Sequence, residues 1–193
     1  YNSQAMDRAT QSARGAMFAI LGSDLETVDR VCQETPGFVL PVNLNSPSQT
    51  VIAGEEGPAA QAAATLAAQG AKAVRLSVQS AFHTTMMAPA AQELEEALQA
   101  LDFHPLALPF YSNLTGGKLE SLDAPAEYLC RHMVSPVRFT EEVEAMLADG
   151  FTTFVELGPG RVLSTLIRRT HREAVVFNVE DGKSFAKLAA SLK

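Results

Sequence analysis

Phe38-Val-Leu-Pro-Val-Asn-Leu-Asn45 and Gln49-Thr-Val-Ile-Ala-Gly54, separated by Ser46-Pro47-Ser48, read as two strands folded back on each other, and this pair decides the fold. The first run is β-branched and apolar, Asn45 to Ser48 has turn composition, and the second run returns beside the first. Upstream, Gly15 to Gly22 (GAMFAILG) is a short apolar run between glycines, hence a strand. Asp24 is placed to cap a helix that carries Leu25, Val28 and Val31 at helical spacing. Downstream, the alanine-rich stretch Pro58 to Gln69 predicts a helix stopped by Gly70, and Lys72 to Val78 (KAVRLSV) alternates as a half-buried strand does. The order over residues 15–78 is βαββαβ, the ferredoxin-like split βαβ arrangement, with two helices on one face of an antiparallel sheet. It shows no glycine-rich phosphate loop and no aromatic RNA-binding motif, so it reads as scaffold.

Residues 79–193 follow a different pattern. Met86 to Leu101 predicts a helix with Met87, Ala90, Leu94, Ala97, Leu98 and Leu101 on one stripe and Pro89 in its first turn. Leu108 to Asn113 is a strand running into the turn-prone Asn113 to Gly117. Phe139 to Leu147 is a helix with Glu141 and Glu142 in its first turn. Then come a strand (Thr152 to Leu157), a helix (Arg161 to Thr170), a strand (Ala174 to Val179) and a helix (Gly182 to Lys193). Alternation at these lengths predicts a parallel α/β layer, with too few strands here to complete one. Tyr1 to Arg14 has no initiator methionine and reads as the middle of a helix, so a piece of a longer protein is expected.

Composition excludes several classes. Of 193 residues, 47% are hydrophobic and 19% charged, as in a folded globular protein. A net charge of −7 argues against non-specific nucleic-acid binding. No apolar run approaches the ~18 residues that span a bilayer, so no membrane partner is expected, and the polar start is no signal peptide. Cys32 and Cys130 are far apart and form no CxxC pair, which reads as two reduced structural thiols of a cytoplasmic protein. Arg161, Arg168, Arg169, His171 and Arg172 form a local basic cluster, read either as cations at a helix C-terminus or as a docking patch for an acidic partner.

Four histidines could carry chemistry: His83, His104, His132 and His171. None has HExxH or paired-cysteine spacing, so no metal site is expected. His104 precedes Pro105 in a connection and His171 ends the basic helix; both read as structural or solvated. His132, near a helix end, is open. His83 follows a strand and precedes a helix, in Ser80-Ala-Phe-His-Thr-Thr-Met-Met87. Loops held between rigid elements are where catalytic groups sit. A neutral imidazole there could take a proton from a hydroxyl and return it to a leaving thiol. On position alone an ordinary loop histidine is the better reading.

Residues 80–87 resemble the second signature of the malonyl-CoA:acyl carrier protein transacylases and the related acyltransferase domains of polyketide synthases. Further segments agree in order: Gly15-Ala-Met17, Val42 to Gly54 (VNLNSPSQTVIAG), Tyr111 to Gly116 (YSNLTG), Ser135-Pro-Val-Arg-Phe139, Glu156 to Leu163 (ELGPGRVL) and Asn178-Val-Glu-Asp181. The resemblance covers essentially the whole chain. It implies an α/β fold in which residues 15–78 are a small ferredoxin-like subdomain. Residues 79–193 would be the C-terminal part of a large α/β-hydrolase-like subdomain, and residues 1–14 the end of one of its helices. It also implies a serine–histidine enzyme that passes an acyl group from a CoA thioester to the phosphopantetheine thiol of an acyl carrier protein, with no bound cofactor. His83 would be the catalytic base and acid, supported by a backbone carbonyl near Ser135. Phe82 would belong to the substrate-binding set and favour malonyl.

Two departures bear on function. The family's nucleophile sits in a GHSxGE elbow, and no G-x-S-x-G occurs in these residues. The serine is therefore expected from an N-terminal half of the same enzyme, and this chain alone is expected to be inactive. Malonyl-selective members carry an arginine in an R-G-x-x-M stretch, to pair with the malonyl carboxylate. The matching stretch here is Asn2-Ser3-Gln4-Ala5-Met6, with Asn2 in the arginine's place and Arg8 nearby. An uncharged acyl group, or a hydrolase that releases acyl groups from carrier proteins, is thus a second reading. A non-catalytic interaction fragment is a third. Asn43, Asn45 and Gln49 read first as turn and pairing residues. Gly158-Pro159-Gly160 reads as a tight strand-to-helix connection, or as a turn presenting helix amides to an anion.

Overall fold

The computed structural model describes residues 15–191, and these form a mixed α/β structure. The first six elements are β1 (Gly15–Leu21), α1 (Leu25–Glu34), β2 (Val39–Ser46), β3 (Gln49–Glu55), α2 (Glu56–Ala68) and β4 (Lys72–Arg75). The four strands make one sheet in the order β2-β3-β1-β4, antiparallel at every pairing. Strand side chains alternate between faces. Ala16 and Ile20 of β1 and Ile52 of β3 join Val28 and Val31 of α1 and Ala59, Ala62 and Leu66 of α2 in one core. Met17, Val51 and Ala53 turn to the other face and pack with Val42 and Ala81. Both faces are covered, so β1 reads as an unbroken apolar run instead of an alternating one.

Local chemistry sets the joints. Asp24 caps α1, its Oδ1 accepting from the Thr27 amide at 2.8 Å, and that bond holds its carboxyl below the usual range. Pro41 lies in β2, an edge strand, where the register against β3 shifts between Pro41 and Asn43; edges and bulges are where a residue without an N–H is tolerated. The strand expected to reach Val78 ends at Arg75. The Leu76 amide still donates to Met17 O (2.9 Å), after which the chain leaves the sheet.

A 3-10 turn (Thr85–Met87) leads into α3 (Ala88–Leu98), followed by β5 (Phe110–Ser112), β6 (Gly117–Leu119) and α4 (Pro125–Met133). Helix α3 is shorter than the expected 86–101: its first turn is 3-10, and Leu101, placed on the apolar stripe, is exposed. Strand β6 was not expected, because Gly116-Gly117 reads only as turn. Gly116 has φ +70° and lies so near Glu141 that a Cβ would meet the Glu141 Cβ at 2.8 Å; the hairpin closes there by virtue of glycine. Helices α3 and α4 share a core of Met87, Ala90, Leu98, Cys130 and Met133.

The remaining elements are α5 (Phe139–Ala148), β7 (Thr153–Leu157), α6 (Val162–Thr170), β8 (Val175–Val179) and α7 (Gly182–Ser191). Strands β7 and β8 pair in parallel from Thr153↔Val175 to Leu157↔Val179, as strands joined through a helix do. The sequence reading divides the chain at 78/79, whereas the contacts divide it between Glu142 and Val143, inside α5. Both cysteines are buried and free, and burial pushes the Cys32 thiol up to about 12. Among the described residues no helix is long and apolar enough to cross a membrane.

Candidate functional site

Between β4 and the 3-10 turn the chain runs across β1 and carries His83. Two contacts fix this stretch. The Gly15 amide donates to Gln79 O (3.1 Å), and a Cβ on residue 15 would lie 2.6 Å from the Ala81 nitrogen and 2.9 Å from Gly54 O. The approach therefore depends on glycine at the start of β1. Thr84, fully buried, donates its hydroxyl to Ala81 O (2.7 Å) and accepts from the Met86 amide (3.2 Å), so it both closes the loop and caps the turn.

His83, held between these anchors, has φ +61° and is the one non-glycine residue among those described in the left-handed region. That conformation costs an L-residue about 1–2 kcal/mol and persists only when the surroundings over-determine it. Such strain concentrates at functional positions, which gives His83 a distinction its loop location alone did not.

The surroundings of the imidazole come from α4 and the residues after it. Burial lowers the His83 pKa, the main-chain carbonyl of His132 raises it, the charge on His132 lowers it, and the carbonyl of Ser135 raises it; the net direction is down. At neutral pH the ring is uncharged and able to accept a proton. Nδ1 is buried, which leaves Nε2 as the nitrogen for an incoming hydroxyl, while the main-chain carbonyls of His132 and Ser135 bond to the ring. The His132 ring meets His83 edge-on, with centroids 6.1 Å apart at 81°.

The structure thus brings Ser135 and His83 together and adds a carbonyl the sequence reading missed. That of His132 acts more strongly than that of Ser135. A signal was available: α4 ends at Met133, and the last carbonyls of a helix lack intrahelical partners. Ser135 is positioned by its neighbours. Leu44 N donates to Val137 O (2.8 Å), Val137 N donates to Val42 O (2.7 Å), and the Thr140 hydroxyl donates to Leu44 O (2.9 Å). Asn43 stands opposite Val137 in this parallel bridge, while Asn45 and Gln49 serve the hairpin.

Phe82 packs between the core under the sheet and the α3–α4 core. Asn2 lies outside the described residues. At the α6 end of the Gly158-Pro159-Gly160 turn, two of the first helix amides are already taken by a carboxylate. Glu156 accepts from Leu163 N (3.0 Å) and Ser164 N (2.8 Å). Burial alone would raise its pKa, but these bonds more than reverse that. In the basic cluster, Arg161 lies 3.8 Å from Glu180, Arg168 donates to Val176 O, and His171 lies 3.9 Å from Glu173. No group of three or more His, Cys, Asp or Glu that could hold a metal occurs among the described residues.

Fold and site together define an α/β chain built around a strained, neutral, loop-borne histidine fit for general-base work. A family model described as the acyl transferase domain matches residues 2–193, and the chain belongs to that family. It is 36% identical over 192 residues to the malonyl CoA-acyl carrier protein transacylase of Bacillus subtilis, covering 97% of this chain and 61% of that protein. It is 36% identical over 154 residues to the spectinabilin polyketide synthase system protein NorB of Streptomyces orinoci, covering 79% of this chain and 7% of that protein. Among solved structures, MCAT from Streptococcus pneumoniae superposes with a TM-score of 0.91 at 33% identity, over 98% of this chain and 63% of that one. A type II polyketide synthase acyl-carrier protein in complex with its malonyl-transacylase gives 0.91 at 35%, over 98% and 62%. The chain therefore spans about three-fifths of the length of these transacylases.

Proposed function

We propose that this chain supplies the histidine part of an acyltransferase that moves a malonyl-type group from CoA to an acyl carrier protein. The observation that carries this reading is His83: buried at Nδ1, neutral, and held in a left-handed backbone. The serine is assigned to a segment outside these residues. In the first half-reaction His83 takes the serine proton, the serine oxygen forms an ester with the thioester carbonyl, the C–S bond breaks, and the proton passes to the CoA sulfur. In the second, His83 takes the proton of the phosphopantetheine thiol, sulfur displaces the serine oxygen, and the proton returns to serine. The carbonyls of His132 and Ser135 support the imidazolium that forms in each half. No bound cofactor is needed. The support for malonyl and for a carrier-protein partner is the naming of the relatives. We read residues 15–78 as a ferredoxin-like subdomain and Phe82 as part of the substrate-binding wall.

Asn2 favours a second reading, because it stands where malonyl-selective relatives carry the carboxylate-pairing arginine. On that reading the acyl group is uncharged, or water replaces the carrier thiol. One assay separates the cases. The complete protein is incubated with malonyl-CoA, acyl-CoAs and holo carrier protein, and acyl-carrier protein and free acid are both measured. Malonyl-carrier protein as the main product, lost by about a thousandfold or more in His83→Ala, supports the proposal; free acid without transfer supports the hydrolase. Undiminished transfer in His83→Ala would falsify both, and turnover by residues 1–193 alone would overturn the placement of the serine.

A further inference from the structure

Ala81, Phe82, His83 and Thr84 form a four-residue turn with Phe82 and His83 at its centre. The core holds most of this turn in place. Ala81 is fully buried under the sheet, with the start of β1 lying against its nitrogen. Phe82 packs on two cores at once, that under the sheet and that between α3 and α4. The reversal of the chain therefore falls on His83, whose φ of +61° belongs to a turn position ordinarily left to glycine or asparagine. The bond that spans the reversal comes from a side chain. Thr84 Oγ1 donates to Ala81 O (2.7 Å) and accepts from the Met86 amide (3.2 Å). A threonine that merely capped the 3-10 turn would need the second bond and not the first. The first closes residues 82 and 83 into a ring, and Ala81, with no exposed surface, cannot turn its carbonyl to solvent instead.

We propose that Thr84 is a positioning residue for His83: its hydroxyl, bridging Ala81 O and the Met86 amide, locks the backbone of residue 83 left-handed and so aims the imidazole. This rests on the reading of His83 as the base and adds a part the carbonyls do not play. The carbonyls of His132 and Ser135 act on the ring, whereas Thr84 acts on the backbone from which the ring projects. Relaxing residue 83 into an ordinary region redirects its Cα–Cβ bond and swings the imidazole away from both carbonyls. A displacement of about 1 Å in a reacting group costs on the order of a hundredfold in rate. The hydroxyl is the working part, so serine at this position should serve, and valine, which differs from threonine by that hydroxyl, should not.

The test uses the complete protein as wild type, Thr84→Val and Thr84→Ser, each also combined with His83→Ala and with His83→Gly. In the wild-type background His83→Gly should be the more stable of the two in chemical denaturation, since glycine takes φ +61° freely. In the T84V background the order should reverse to that of an ordinary loop position, and in T84S it should not. With malonyl-CoA and holo carrier protein, T84V should lose on the order of a hundredfold in kcat while KM stays within about threefold. T84S should stay within about threefold of wild type in both. A glycine preference that persists in T84V overturns the proposal, and so does an undiminished kcat in folded T84V. Where T84V fails to fold, T84S decides: a glycine preference lost there means that the methyl group and not the hydroxyl holds the loop, and the proposal falls. The stability comparison needs no substrate. A preference lost in T84V, in a protein inactive on every acyl donor, would defeat the acyltransferase reading and leave the hold of Thr84 on residue 83 standing.

Discussion

Asn43 and Val137 face each other in a parallel bridge, so the edge of the four-stranded sheet directly sets the segment that carries Ser135 to His83. Edge strands present unpaired main-chain groups, and β2 uses its outer edge for this one join. Val137 N to Val42 O, Leu44 N to Val137 O and Thr140 Oγ1 to Leu44 O make three hydrogen bonds within five residues of Ser135. Val137→Pro removes the first donor and constrains Pro136. It should cost stability and release the Ser135 carbonyl, moving the His83 titration to lower pH because a group that raises its pKa is lost. Thr140→Val removes only the last bond and should cost about 1 kcal/mol in urea denaturation. An unchanged His83 midpoint in a folded V137P protein would show that the bridge does not position Ser135.

Gly15 and Gly54 test the close approaches beneath the loop. A Cβ on Gly54 would lie 2.0 Å from Phe38 O, and one on Gly15 would meet Ala81 N at 2.6 Å. Both obstacles are backbone, so neither can rotate away. Gly15→Ala should destabilise by about 1–3 kcal/mol and displace residues 79–83. Gly54→Ala, with the closer contact, should cost more, and its damage should centre on the start of β2. Equal denaturation midpoints for G15A and wild type would mean the loop has slack that these distances do not show.

Local signals made most of this architecture legible. Asp24 announced α1, the turn at Ser46 to Ser48 announced the hairpin, and the glycine-bounded run from Gly15 announced β1. What stayed hidden depends on partners distant in sequence. Nothing near Val137 tells that it will bridge Asn43, and nothing near Gly117 tells that three residues will pair with β5. The site was half legible for the same reason. His83 stood out through its motif, and Ser135 through resemblance. The contribution of His132 depends on where α4 stops, and a helix end is the part of a helix that sequence locates least well. The left-handed backbone of His83 carries no composition signal, since it occurs without a glycine.

Glu142 and the two histidines give opposite pH dependences. Glu142 is buried in the first turn of α5, Oε2 has no partner among the described residues, and burial pushes its pKa up to about 7. A raised folded-state pKa means that its contribution is fully present below the unfolded carboxylate value and is lost as pH rises through about 7. Glu142→Gln should therefore gain stability relative to wild type above neutrality, by at most roughly 3 kcal/mol, and the gain should vanish towards pH 4. His83 and His132 have lowered folded-state values. Their contribution is present above the unfolded histidine value and is lost as pH falls below it. Denaturation midpoints across pH for wild type, E142Q and H132Q separate the two. An E142Q difference that grows towards acid would contradict the assignment.

The backbone of His83 offers a test that needs no substrate. If its left-handed conformation is imposed by the Gly15 contact and the Thr84 bonds, the strain is a property of position 83 and not of the imidazole. His83→Ala and His83→Gly both delete the ring and its contact with His132, so they differ mainly in backbone freedom. At an ordinary loop position the alanine variant would be the more stable, because glycine has more entropy to lose on folding. At φ +61° the order inverts, and His83→Gly should be more stable than His83→Ala by about 1 kcal/mol, the cost of a Cβ in that region. Both should lack transfer activity in the complete protein, which separates the fold's tolerance of position 83 from the chemistry's need for it. Chemical denaturation of the pair at neutral pH decides the matter: an alanine variant equal to or more stable than the glycine variant would mean that the loop relaxes once the ring is gone, and that the imidazole itself holds the strained geometry.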